Sequence, residues 1–118
     1  MDIKFRDNLP QSNVNLHQDD IENARLNNRF VLTGAVPQGW PALTSDAAQA
    51  AKYIVFLEYI SVGAGNTFDL KTWDNASTIA SNIEGQLDLS HSPLRCDGGF
   101  RVTTSAILIA KGFYLVKN

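Results

Sequence analysis

Charge of either sign is scarce in this chain. Asp, Glu, Lys and Arg together make 19% of its 118 residues, against roughly a quarter in an ordinary globular domain. The ten basic residues are scattered and outnumbered by twelve acidic ones, for a formal net charge of −2. That excludes the concentrated positive footprint of a nucleic-acid binder and a polybasic membrane patch. There is one cysteine, Cys96, so no internal disulfide can form, and a lone Cys in a strand-like run reads as a small buried hydrophobe. The long apolar run of a membrane helix, roughly 20 residues, is also missing. The longest apolar stretch is Tyr53 to Leu57, and Met1 to Asp7 lacks the apolar core of a secretory signal. The expectation is a protein made in the cytoplasm.

Catalytic groups are as sparse. The two histidines, His17 and His91, fall in a polar segment and in a turn before Ser92-Pro93. Both are poor places to hold an imidazole with the tolerance catalysis requires; pairing with Cys96 or a Ser distant in sequence stays open, and a solvated loop imidazole is the default reading. Asp88, His91, Cys96 and Asp97 are close in sequence but lack the paired Cys/His spacing of a zinc site. Asp19-Asp20 does not extend into a calcium loop. Glu58 interrupts a strongly apolar run and is the one carboxylate to watch, since a buried Glu would be a functional signal; the plainer reading is a solvated face or an interface. Gly63-Ala64-Gly65 precedes an alternating strand rather than a helix, so it is a turn and not a phosphate loop. Trp40, Trp73, Tyr59 and Tyr114 would suit a sugar-stacking platform, but aromatics are also ordinary core filling. The expectation is no enzyme, no metal and no cofactor.

What the chain has in place of charge is Asn, Ser, Thr and Gly, distributed unevenly. Residues 1–28 hold eight Asn or Gln residues and single, spaced hydrophobes. They read as an extended polar N-terminal arm, with a short helix from Asp19 to Leu26 capped by Asp19 and Glu22. Such a segment cannot bury enough apolar surface alone. Its hydrophobes, Phe5, Leu9, Val14, Leu16, Ile21 and Leu26, are therefore the candidate partner-binding residues. A neighbouring subunit is the expected surface for them, and the chain's own domain is the other possibility.

Residues 29–118 read as one domain of short strands. Tyr53 to Val62 (YIVFLEYISV) is β-branched and aromatic with both alternating faces apolar, the pattern of a central strand buried on both sides. Gly63 to Asn66 reads as a hairpin turn. Thr67 to Asp74 alternates, with Trp73 on the polar parity and so either exposed or displaced by a bulge. Gly85 splits the next two strands and Gly112 interrupts the last. Thr44 to Lys52 reads as one or two helical turns capped by Asp46. Seven or eight short strands, with turn signals every eight to twelve residues, predict an all-β fold behind the arm: an antiparallel β-sandwich or small barrel, with a jelly-roll-like sandwich leading.

The stretches YIVFLEYISVGAGNTFDLKTWD (Tyr53 to Asp74) and Pro93 to Leu115 resemble small structural proteins of tailed bacteriophages. There an apolar strand, a V-G-A-G-x-T turn, an alternating strand and a W/Y-D turn are followed by P-x-x-x-x-G-G-x-x-V-T and a closing apolar strand. The resemblance spans residues 53–117; Ala106 to Lys111 departs from it by being more aliphatic. It implies a jelly-roll-like virion component, a head decoration (cement) protein or minor capsid protein. The implied partners are other copies of itself, as a homotrimer, and a major capsid or other virion protein, with no nucleic acid and no membrane. The competing expectation is a carbohydrate- or receptor-binding β-sandwich with Trp40 and Trp73 clustered on its surface.

Overall fold

A computed structural model describes residues 4–5, 16–35, 38–41, 47–74, 77–103 and 107–117. In chain order the elements are β1 (Lys4–Phe5), α1 (Gln18–Asn27), β2 (Arg29–Ala35), β3 (Gln38–Trp40), α2 (Ala47–Ala50), β4 (Tyr53–Val62), β5 (Thr67–Thr72), β6 (Thr78–Glu84), β7 (Gln86–Asp88), β8 (Leu94–Asp97), β9 (Phe100–Thr103) and β10 (Ile107–Val116). They form two antiparallel sheets. The first runs β2-β10-β4-β7, with β8 beside β7 on the same edge of β4; the second runs β1-β6-β5-β9-β3.

The connections cross from sheet to sheet at nearly every step. From β2 to β10 only the links β5–β6 and β7–β8 stay within one sheet. With β7 and β8 taken as one interrupted edge strand, this is the strand order of a jelly roll, the double-sheet arrangement built from two Greek keys. The chain is an all-β sandwich. Phe30, Val55, Leu57, Ile60, Leu108 and Ala110 of the first sheet meet Phe68, Leu70, Ile83, Phe100 and Val102 of the second in one buried core.

Several local features differ from expectation, each for a physical reason. Gly63 to Asn66 does not close a hairpin, because β4 belongs to the first sheet and β5 to the second. Strand β4, apolar on both faces, takes the interior position beside β10, and its turn carries the chain across the sandwich. Asn66 closes that turn with its backbone and side-chain N–H groups, both 3.1 Å from the Gly63 carbonyl. Gly85 lies at the crossing from β6 to β7 with φ +74. The two crossings are tied together: Val62 donates to Gly85 O at 2.7 Å and Gly85 donates to Asn66 O at 3.2 Å.

Gly112 does not interrupt β10, which is continuous. The ladder carries a bulge here: Lys111 opposes Tyr59 while Gly112 opposes Leu57. Glu58 is thus the extra residue, its carbonyl accepting from Leu89 N at 2.8 Å. A side chain at Gly112 would collide with the Phe56 carbonyl and the Phe30 ring. Trp73 is buried although it keeps the polar parity. Its ring lies on the outer face of the second sheet beside Gly39, whose missing side chain leaves it room, with the Arg101 guanidinium 4.9 Å from its centroid.

Helix α1 starts at Gln18, with His17 as the N-cap residue and no side-chain cap bond. Asp19 therefore sits in the first turn with Asp20, where both complement the helix dipole, and Glu22 accepts from the Gln18 side chain at 2.8 Å instead of closing a capping box. Helix α2 is only Ala47–Ala50; Asp46, expected as its cap, lies outside the described residues.

Candidate interaction face

The outer face of the first sheet is covered over only part of its extent. Helix α1 lies on one part. There Ala24, with half-buried Leu16 and Ile21, packs on Ile54, Phe56, Phe113 and Leu115, a second small core outside the sandwich. Leu16 and Ile21, expected to fill a neighbour's pockets, thus pack on their own chain. Leu26 points the other way and is 77% exposed. The backbone of Phe5 pairs with Ala80 on β6. Leu9 and Val14 lie outside the described residues.

Beyond the helix no element among the described residues covers the face, and the strand register defines its composition. One row across β2, β10 and β4 is Val31, Lys111, Tyr59; the next is Thr33, Ile109, Ser61. Val31 is 61% exposed and Ile109 40%. The two are diagonal neighbours on adjacent strands, close enough to form one apolar spot. The Lys111 ammonium lies 5.7 Å from the Tyr59 ring centroid, a cation–π contact that holds it along the surface. Arg29, at the start of β2, reaches over to the bulge and pairs with Glu58 at 2.8 Å. This accounts for the charge in the apolar strand: the bulge re-aims Glu58 toward Arg29.

The remaining candidates lie apart from this face. His17 and His91 are both exposed. Asp88 is held below the usual carboxylate range, first by the backbone N–H of Ser90, then by the Ser90 side chain and the charge of His91. Cys96 points into the core, and burial, with the Asp97 charge adding to it, pushes its thiol up to about 12. The Asp97 carboxylate is held by Arg95 through bonds of 2.7 and 3.1 Å. Among the described residues no three His, Cys, Asp or Glu side chains gather as a metal site needs.

Trp40 and Trp73 share no surface. Trp40 stacks on Phe30 at 4.8 Å and leans on Tyr114 at 5.3 Å, while Trp73 is only 6% exposed under Arg101. Two hollows are lined by described residues. One of about 250 Å³ lies beside Trp73 and Thr72; the other, about 600 Å³, lies between α1 and the end of β10, floored by Leu16, Ile54 and Leu115. No helix among the described residues is long and apolar enough to cross a membrane.

No family model, no curated protein and no solved structure matches this chain. Val31, Ile109, Thr33 and Lys111 were not among the residues singled out from sequence. The available signal was RFVLT, a run with no charge after Arg29, and the aliphatic run around Ile109.

Proposed function

We propose that this protein is a non-enzymatic structural component of a virion, a capsid decoration or minor capsid protein that works by associating with itself and with a capsid surface. What supports the reading is the jelly-roll strand order together with an uncovered, weakly charged sheet face carrying exposed Val31 and Ile109. Jelly rolls serve capsids and lectins alike, so the fold alone does not choose between them. The choice rests on what the surface presents. A sugar site needs an accessible aromatic plane, and Trp40 and Trp73 have theirs occupied by Phe30, Tyr114 and Arg101. An exposed aliphatic spot suits protein–protein contact instead. The partners in this reading are further copies of the chain and a major capsid or other virion protein, and the working location is the virion.

The test is to purify particles by density gradient from a culture that produces the chain and to quantify it against the major shell protein by mass spectrometry. A fixed copy number that survives salt washing is the expected result. Its absence from intact particles, with the chain recovered free in the lysate, overturns the reading.

A further inference from the structure

We infer that the free edge of β2 is a self-pairing surface, on which a second copy of this chain adds its own β2 antiparallel across a two-fold axis centred on Val31. The pairing rests on the self-association proposed above and specifies its interface.

The direction of the backbone groups comes first. Tyr114 donates its N–H to the carbonyl of Asn28 at 3.0 Å, and the Asn28 side chain donates to the Tyr114 carbonyl at 3.2 Å. The register continues as Phe30 opposite Gly112 and Leu32 opposite Ala110. In an antiparallel ladder hydrogen-bonded and non-bonded pairs alternate. Phe30 and Leu32 therefore spend their backbone groups on β10, while Arg29, Val31 and Thr33 aim theirs outward. Among the described residues no strand pairs with that side of β2.

Natural sheets blunt their edges with short strands, charges, prolines or bulges. The other edges here follow that rule. Strand β3 has three residues and is followed by Pro41, and β1 has two. The β7–β8 edge is broken by the Leu89 to Pro93 loop and carries Asp88, Arg95 and Asp97. Strand β2 is seven residues long, and after Arg29 it has no charge and no proline. Its central side chain, Val31, is 61% exposed.

Self-complementarity selects the occupant, and among two-folds centred on an outward-facing residue it selects the register. Centring the two-fold on Val31 sets valine against valine and Arg29 against Thr33, so both outward pairs are compatible. Centring on Arg29 sets two guanidinium groups directly opposite, which is destabilising. Centring on Thr33 runs the pairing into Gly34, whose φ of +130 ends the flat edge. In the Val31 register each Lys111 is separated from its counterpart by three strand spacings, about 14 Å, which exceeds the screening length of about 8 Å at physiological salt. The first sheet then continues through both copies, and the Val31–Ile109 spots merge across the axis.

The register can be read by cross-linking. Residues directly opposite in a hydrogen-bonded pair have Cα atoms about 5.5 Å apart, within disulfide reach, and the native Cys96 is buried. Under mild oxidation V31C is expected to give a covalent dimer. R29C and T33C are each expected to stay monomeric alone and to cross-link when mixed. Light scattering on a sizing column, from about 1 µM to 1 mM to bracket micromolar affinity, is expected to show the wild-type mass rising toward twice the 13.0 kDa chain. V31P removes only an outward N–H, which an edge tolerates, and is expected to weaken the pairing at least about tenfold. If V31P fails to fold, the cysteine series carries the test. V31C that does not cross-link, R29C that links to itself as fast as V31C, or a trimer indifferent to V31P each overturns the pairing. A cross-linked V31C dimer of a chain absent from particles sinks the virion reading alone; a chain fixed in particles without the V31C link sinks the pairing alone.

Discussion

The ring of Phe113 stacks on that of Phe56 with centroids 4.9 Å apart and planes 12° from parallel. The pair sits on the outer face of the first sheet, outside the main core, with the Arg25 guanidinium 5.4 Å from the centroid of the Phe113 ring. This small stack is the anchor of helix α1, whose own sequence is mostly polar.

Truncating it should loosen the helix without dismantling the sandwich. F113A is expected to cost about 3–5 kcal/mol in denaturant unfolding, as buried Phe→Ala changes do. Hydrogen exchange should show amides of residues 18–27 losing protection well before those of β4. Equal loss in both would mean that the helix is not separately anchored.

Gly112 tests the bulge. G112A would drive a methyl into the Phe56 carbonyl and the Phe30 ring, and backbone cannot move aside as a flexible side chain can. The expected cost is about 3 kcal/mol, the upper part of the range for overpacking, measured as a fall in the urea midpoint. G65A is the control: its φ of +84 strains any side chain, but open space surrounds it, so without a collision the cost should be smaller.

Cys96 gives a pH prediction with a definite sign. Its folded pKa, about 12, is raised above that of a free thiol, about 8.5. The neutral thiol's contribution is therefore fully present below the unfolded pKa. It is lost as pH rises through the window between the two values, with a limiting slope of about 1.4 kcal/mol per pH unit. C96A should show a flatter fall in stability above about pH 9 than wild type. A disulfide reagent at pH 8 should label the native protein no faster than it unfolds; rapid labelling would mean that the thiol is reachable.

Neither tryptophan offers a free ring face, so the intrinsic emission should be blue-shifted and resist acrylamide quenching. Titration with a panel of soluble oligosaccharides should leave the spectrum unchanged. A saturable shift that W40F or W73F removes would restore the ligand-binding reading.

Much of the sandwich was legible because apolar period and turn residues carry it. Strand β4 falls where YIVFLEYISV placed it, interior to its sheet, since a strand apolar on both faces has nowhere else to bury them. The turn at Gly63 was legible as a turn but not as a crossing: glycine chemistry marks where a chain reverses, and whether the next strand pairs with the last depends on distant β10. Glu58 and Trp73 broke the alternation for reasons that lie elsewhere in sequence, one facing Arg29 and the other seated on Gly39. The free edge of β2 was not legible at all, because RFVLT reads the same at an edge as at a centre. In the arm, the helix was legible, but its N-cap lies at His17, two residues before Asp19. Its target was not, since spaced hydrophobes do not say which surface will cover them.

The place of β10 between β2 and β4 has a consequence for the order of events during synthesis. Its pairs span the chain: Phe113 meets Arg29, and Val116 meets Tyr53. Until the ribosome has delivered residues 107–116, neither β2 nor β4 has the central partner of its sheet. Contacts this distant in sequence are slow to form. Once β4 has been made, the nascent chain therefore carries two apolar strands that lack their shared neighbour, and the first sheet closes only when the strand that joins them arrives.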